Sequence, residues 1–162
     1  DGSIATNYVP RKMFDISQTN IKQHTKKPDY SRRSLLSGLV KDCSYYITVQ
    51  NELSLPVIVG ESEIYYRKDI EFEEGFSWLS YVISALSMDQ SNKVLLDYKA
   101  RCAAYILCTK LGIPFQMESE WNDGNPLLHF KNPKAYRQQL KEIRNTAFQL
   151  YHNILSVAEF NH

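Results

Sequence analysis

Apolar residues recur every three to four positions through most of this chain of 162 residues, and that period is the signature of α-helix. Leu35, Leu36, Leu39, Val40, Cys43, Tyr46 and Ile47 mark one face of a first helix over about 31–51, with Asp29 or Ser31 as its cap. Phe72, Phe76, Leu79, Val82, Ile83 and Leu86 mark a second over about 73–88. A third starts at a Ser91 cap and carries Val94, Leu95, Tyr98, Cys102, Tyr105 and Cys108 on one stripe as far as Leu111. Gly112 then suits a left-handed C-terminal cap, and Pro114 forbids continuation. The fourth opens on Asn132-Pro133 and presents Tyr136, Leu140, Ile143, Ala147, Leu150, Ile154 and Ala158 to one side until about 159. Gly38 weakens the first helix by roughly 1 kcal/mol relative to Ala unless a neighbour needs the space.

The connections between these helices are about 20 residues, then two or three, then about 20, which permits an up-up-down-down course with one tight turn in the middle. The expected fold is therefore all-α: a four-helix bundle-like domain with two long crossover connections. Within the first crossover, Leu53–Gly60 and Glu63–Arg67 form either a short β-hairpin at 53–68 or an ordered loop. Only 6 Gly and 6 Pro are present, few for a multi-stranded β protein. In the second, Phe115, Met117, Trp121, Leu127 and Phe130 bind the segment to the domain. The organisation expected is a basic flexible or docking arm over 1–30 followed by a helical domain over 31–162.

The net charge of +1 excludes a uniformly basic nucleic-acid binder but conceals a polarised layout. Seven basic and three acidic residues give 1–33 a net +4, and three against nine give 34–90 a net −6. Segments 91–117, 118–130 and 131–162 carry +3, −3 and +3. Two acidic runs stand out: Glu61, Glu63, Asp69, Glu71, Glu73 and Glu74, and then Glu118, Glu120 and Asp123. Against them the last helix sets Lys134, Arg137, Lys141 and Arg144 in one row at three- and four-residue steps. That row can meet the 61–74 run of the same molecule, a partner's carboxylates or phosphates. In the arm, Arg11 and Lys12 are interleaved with the apolar Met13, Phe14 and Ile16, side chains suited to anchoring in a groove.

Catalytic and metal-binding patterns are not evident. His24, His129, His152 and His162 stand apart and form neither a His-x-x-x-His nor a His-Glu-x-x-His pair. Cys43, Cys102 and Cys108 read as small core residues, and their odd number closes no complete disulfide set. No Gly-rich phosphate loop appears, and neither acidic run has the alternating ligands of a calcium loop. The sequence thus calls for no catalytic residue, cofactor or metal.

No N-glycosylation acceptor is present, and with the cysteines this favours a reducing, intracellular setting, cytoplasmic or nuclear. The apolar runs are too short to cross a membrane. A start at Asp1-Gly2-Ser3 rather than Met reads as a piece of a longer protein. The expectation is a non-enzymatic protein-protein interaction or scaffolding module that binds protein partners through Arg11, Lys12, Met13, Phe14, Ile16, Lys134, Arg137, Lys141 and Arg144. The first alternative is a nucleic-acid-associated helical domain using the arm, with Lys26, Lys27, Arg32 and Arg33, and the last helix. A secreted four-helix ligand of cytokine type is less well matched, and an enzyme comes last.

Overall fold

A computed structural model describes residues 30–117 and 126–160. In order, the elements are α1 (Arg32–Leu39), β1 (Tyr46–Gln50), β2 (Val57–Val59), β3 (Glu63–Arg67), α2 (Phe72–Leu86), α3 (Lys93–Leu111), a 3-10 turn over Pro126–His129, and α4 (Pro133–Phe160). The all-α, bundle-like expectation is overturned: the chain is mixed α/β. Its strands form one sheet in the order β1-β3-β2, with β1 parallel and β2 antiparallel to β3.

The difference arises in the first expected helix. It starts as read, with the Ser31 hydroxyl accepting from the Ser34 N–H at 3.1 Å, but it stops at Leu39. Beyond the turn, Tyr46-Ile47-Thr48-Val49 is aromatic or β-branched at every position, and such side chains prefer a pleated strand to a helix. Tyr46 and Ile47 fit the helical period, but over so short a stretch that period does not discriminate. The hairpin weighed for 53–68 forms across Gly60-Glu61-Ser62, with the Gly60 N–H donating to the Glu63 carbonyl at 2.8 Å. What the sequence did not indicate is the second neighbour of β3, namely β1.

Helix ends elsewhere follow local chemistry. Asn92 rather than Ser91 caps α3, its Oδ1 accepting from the Leu95 N–H at 3.0 Å, while Ser91 donates to Asp89. Gly112 takes the left-handed conformation at φ 71°, and the Ile113 N–H closes back on the Cys108 carbonyl at 2.9 Å. Asn132 Oδ1 accepts from the Lys134 N–H at 2.9 Å at the start of α4.

The main core joins Leu35 and Leu39 of α1, Val57 and Ile64 of the sheet, Phe76, Leu79 and Ile83 of α2, Leu107 of α3, and Leu150 and Ile154 of α4. A second cluster gathers Met88, Ala103, Leu127, Ile143 and Ala147. Between α2 and α3 the side chains are small and fully buried (Ser77, Ser80 and Ser84 against Ala100, Ala103 and Ala104), which lets the backbones come close. The buried Lys99 ammonium meets Glu142 at 2.6 Å and ties α3 to α4. With Lys110 farther along α3 lying over Tyr151 farther along α4, these two helices run in the same direction.

Two glycines that look like defects in helices are close-approach points. A Cβ at position 75 would strike the Tyr66 ring, so Gly75 admits β3 against α2. A Cβ at 38 would land on the backbone of α4, 3.0 Å from Ile154 N and 3.1 Å from the Asn153 carbonyl. Gly38→Ala should therefore destabilise the protein, because overpacking costs about 1–3 kcal/mol against the ~1 kcal/mol that helix propensity returns. Urea unfolding checks this: the exposed neighbour Ser37→Ala should stay within about 0.5 kcal/mol of wild type, while Gly38→Ala falls clearly below it.

Candidate protein-binding surface

The rotation of α4 about its axis is fixed by what it buries. Ile143, Ala147, Leu150, Ile154 and Ala158 enter the core, which turns Lys134, Arg137, Lys141 and Arg144 to solvent. The same exposed line continues one turn further to Phe148, 41% exposed, and to His152, whose rings lie 6.5 Å apart. Leu140, which its spacing assigned to the buried face, is 43% exposed and borders the basic row. From α3, Lys110 sends its ammonium to 5.3 Å from the Phe148 ring and 4.5 Å from the Tyr151 ring, distances at which the π-face attracts a cation. The surface is thus a file of cations running into an apolar, aromatic end.

Each cation of the row lacks an ion-pair partner among the described residues. The pairs present are Arg32–Glu73 at 4.0 Å, Arg67–Glu74 at 3.9 Å, Lys99–Glu142 at 2.6 Å and Arg101–Asp97 at 2.8 Å. Glu73 and Glu74 of the 61–74 run are therefore held by arginines of α1 and β3, not by α4. Arg32 and Arg33 are exposed at the start of α1. Arg11, Lys12, Met13, Phe14 and Ile16 of the arm lie outside the described residues, as do Lys26, Lys27, His24, His162, Glu118, Glu120 and Asp123. Lys110, missed from sequence, joins the surface through the packing of α3 beside α4, and no local pattern signals it.

The polar groups around the α1–β1 turn are engaged with one another. A cavity of about 150 Å³ between the α1–β1 turn, the end of α2 and α4 is walled in part by Asp42, Cys43, Gln149 and Asn153. There Asn153 donates to Asp42 at 2.8 Å and accepts from Gln149 at 3.1 Å, so its carboxamide is already satisfied on both sides. The Cys108 thiol is buried beside Ser77, and that burial pushes it up to about 11; Cys102 is shifted upward by burial as well. Both are held as neutral thiols, a poor state for a nucleophile. Among the described residues no group of three or more His, Cys, Asp or Glu is placed to hold a metal ion.

One titratable cluster contributes to stability. Tyr81 donates to Asp97 at 2.7 Å, and Arg101 binds the other Asp97 oxygen at 2.8 Å while lying over the Tyr81 ring. Burial, then the bond to Asp97, pushes the Tyr81 phenol up from 10.0 to about 12. The native state holds this proton more tightly than the unfolded chain, so the resulting stability is complete below pH 10 and lost as pH rises towards 12. Tyr81→Phe should cost about 1 kcal/mol at neutral pH and lose less than wild type on going to alkaline pH, as read by urea unfolding across that range.

No helix among the described residues is long and apolar enough to cross a membrane. Compared with protein-family models, with curated proteins and with solved structures, the chain matches none of them.

Proposed function

We propose that this chain is a non-enzymatic interaction module whose last helix receives an acidic, amphipathic segment of a protein partner. The observation that carries this reading is the row Lys134, Arg137, Lys141 and Arg144, exposed and unpaired among the described residues, with Leu140 and Phe148 exposed beside it. Exposed ion pairs contribute only ~0.2–1 kcal/mol each, so the cations set orientation and the apolar side chains supply most of the affinity. The arm residues Arg11, Lys12, Met13, Phe14 and Ile16, outside the described residues, are proposed as further partner contacts, and scaffolding or complex assembly is the role that fits. The setting that goes with it is intracellular, cytoplasmic or nuclear, supported by the free Cys43, Cys102 and Cys108.

The same exposed row favours a second reading, contact with nucleic-acid phosphates. A net charge of +1 gives little long-range attraction to a polyanion, and the apolar end of the row has no role there. Fluorescence anisotropy separates the two, using a labelled Glu/Leu amphipathic peptide and a labelled duplex of similar length. The peptide should bind, and both Phe148→Ala and the triple reversal Arg137→Glu, Lys141→Glu, Arg144→Glu should weaken it about tenfold or more. Tight duplex binding that collapses with salt, or a peptide affinity indifferent to these changes, would overturn the proposal.

A further inference from the structure

The sheet has an open side. Among the described residues its order, β1-β3-β2, gives β1 a hydrogen-bonded neighbour on one flank alone. On that flank the Tyr46 N–H donates to the Ser62 carbonyl at 3.1 Å and the Gln50 carbonyl accepts from the Lys68 N–H at 2.8 Å. Backbone groups in a strand alternate sides residue by residue. Tyr46, Thr48 and Gln50 therefore direct theirs to β3, and Ile47 and Val49 turn N–H and C=O to the open flank.

Side chains point to the same vacancy. In the parallel register Ile47 lies beside Ile64 and Val49 beside Tyr66, on the face the helices cover. Ile64 is fully buried there, yet Ile47 is 36% and Val49 58% exposed, so the helical layer covers β3 and stops short of β1. Natural edge strands are usually protected by charge, proline or a bulge. Tyr46-Ile47-Thr48-Val49-Gln50 contains no charged residue and no proline, and it pairs with β3 in unbroken register.

We propose that this edge pairs with the same strand of a second copy of the chain, antiparallel, about a two-fold axis through Thr48. In that register Ile47 faces Val49 of the partner subunit, and both residues exchange N–H and C=O across the axis. The two sheets become one, and the uncovered Ile47 and Val49 side chains of the two copies close over each other. The strand suits a copy of itself because its aliphatic-Thr-aliphatic centre is symmetric. A charge at the centre would meet its own image, and the nearest charged residue on the C-terminal side, Glu52, falls opposite Ser44 instead. Pairing two five-residue strands buries less than the ~1,200 Å² of standard interfaces, so the dimer is weak and concentration-dependent. This surface is separate from the α4 row, and neither proposal rests on the other.

Sedimentation velocity on the full chain, from low to high micromolar, tests the proposal together with amide exchange at the same concentrations. The sedimentation coefficient should move from one chain towards two, and the Ile47 and Val49 amides should exchange more slowly as it does. Thr48→Lys, which sets an ammonium against its own image, should weaken association about tenfold, while Thr48→Val retains it. A wild-type chain that stays single throughout would overturn the proposal. So would a folded Thr48→Lys variant that associates like wild type, or exchange at Ile47 and Val49 that ignores concentration.

Discussion

α1 meets α4 backbone to backbone at Gly38, and most of the arrangement follows from that contact. No side chain stands between the two helices there, since even a methyl group would overlap Ile154. Just beyond, Lys41 donates to Ser156 at 2.9 Å and Asp42 accepts from Asn153 at 2.8 Å, so the turn after α1 is fastened to the same helix. The chain then leaves that turn into β1 beside β3. The end of α1 and the pinned turn both lie at this close approach, and β1 begins where the chain leaves it.

α4 is the strut on which this rests. Its inner arc is used on two sides, by α1 at Ile154 and by α3 through the buried Lys99–Glu142 pair. Such a pair contributes little net stability when intact but is costly to break from one side, so it favours this placement of α3 over others. With the inner arc committed, the outer one has to face solvent, and the cations of the row lie there. The charge polarity of the sequence thus becomes a polarity in space, though not the one in which acidic and basic segments neutralise each other. The acidic 61–74 run finds Arg32 and Arg67 close by, and the α4 row remains available.

How much was legible in the sequence depended on whether a signal was local. Gly112, Asn132-Pro133 and the stripes of α2 and α3 are local signals, and those helices lie close to where they were read. The exposed row of α4 was legible because spacing alone puts its members on one face. Over residues 46–50 the helical period conflicts with β-branched and aromatic content, and the stretch is too short for periodicity to decide. The parallel pairing of β1 with β3 is a tertiary contact that leaves no local mark. The same holds for Lys110 reaching Phe148, and for Gly38 and Gly75, whose roles exist only once another element is beside them. Leu140 shows the converse: an apolar residue at the margin of the buried stripe stays exposed, although Tyr136 and Ile143 on either side of it along α4 pack into the second cluster.

The chain breaks from helix to strand between Leu39 and Tyr46 and so builds a mixed α/β domain. Backbone 13Cα and 13Cβ chemical shifts of the full chain test it directly. Helical shifts are expected over Arg32–Leu39 and extended shifts over Tyr46–Gln50, with cross-strand contacts from Ile47 to the Ile64 region. Helical shifts continuing unbroken from Arg32 to Gln50 would contradict it and restore an all-helical domain.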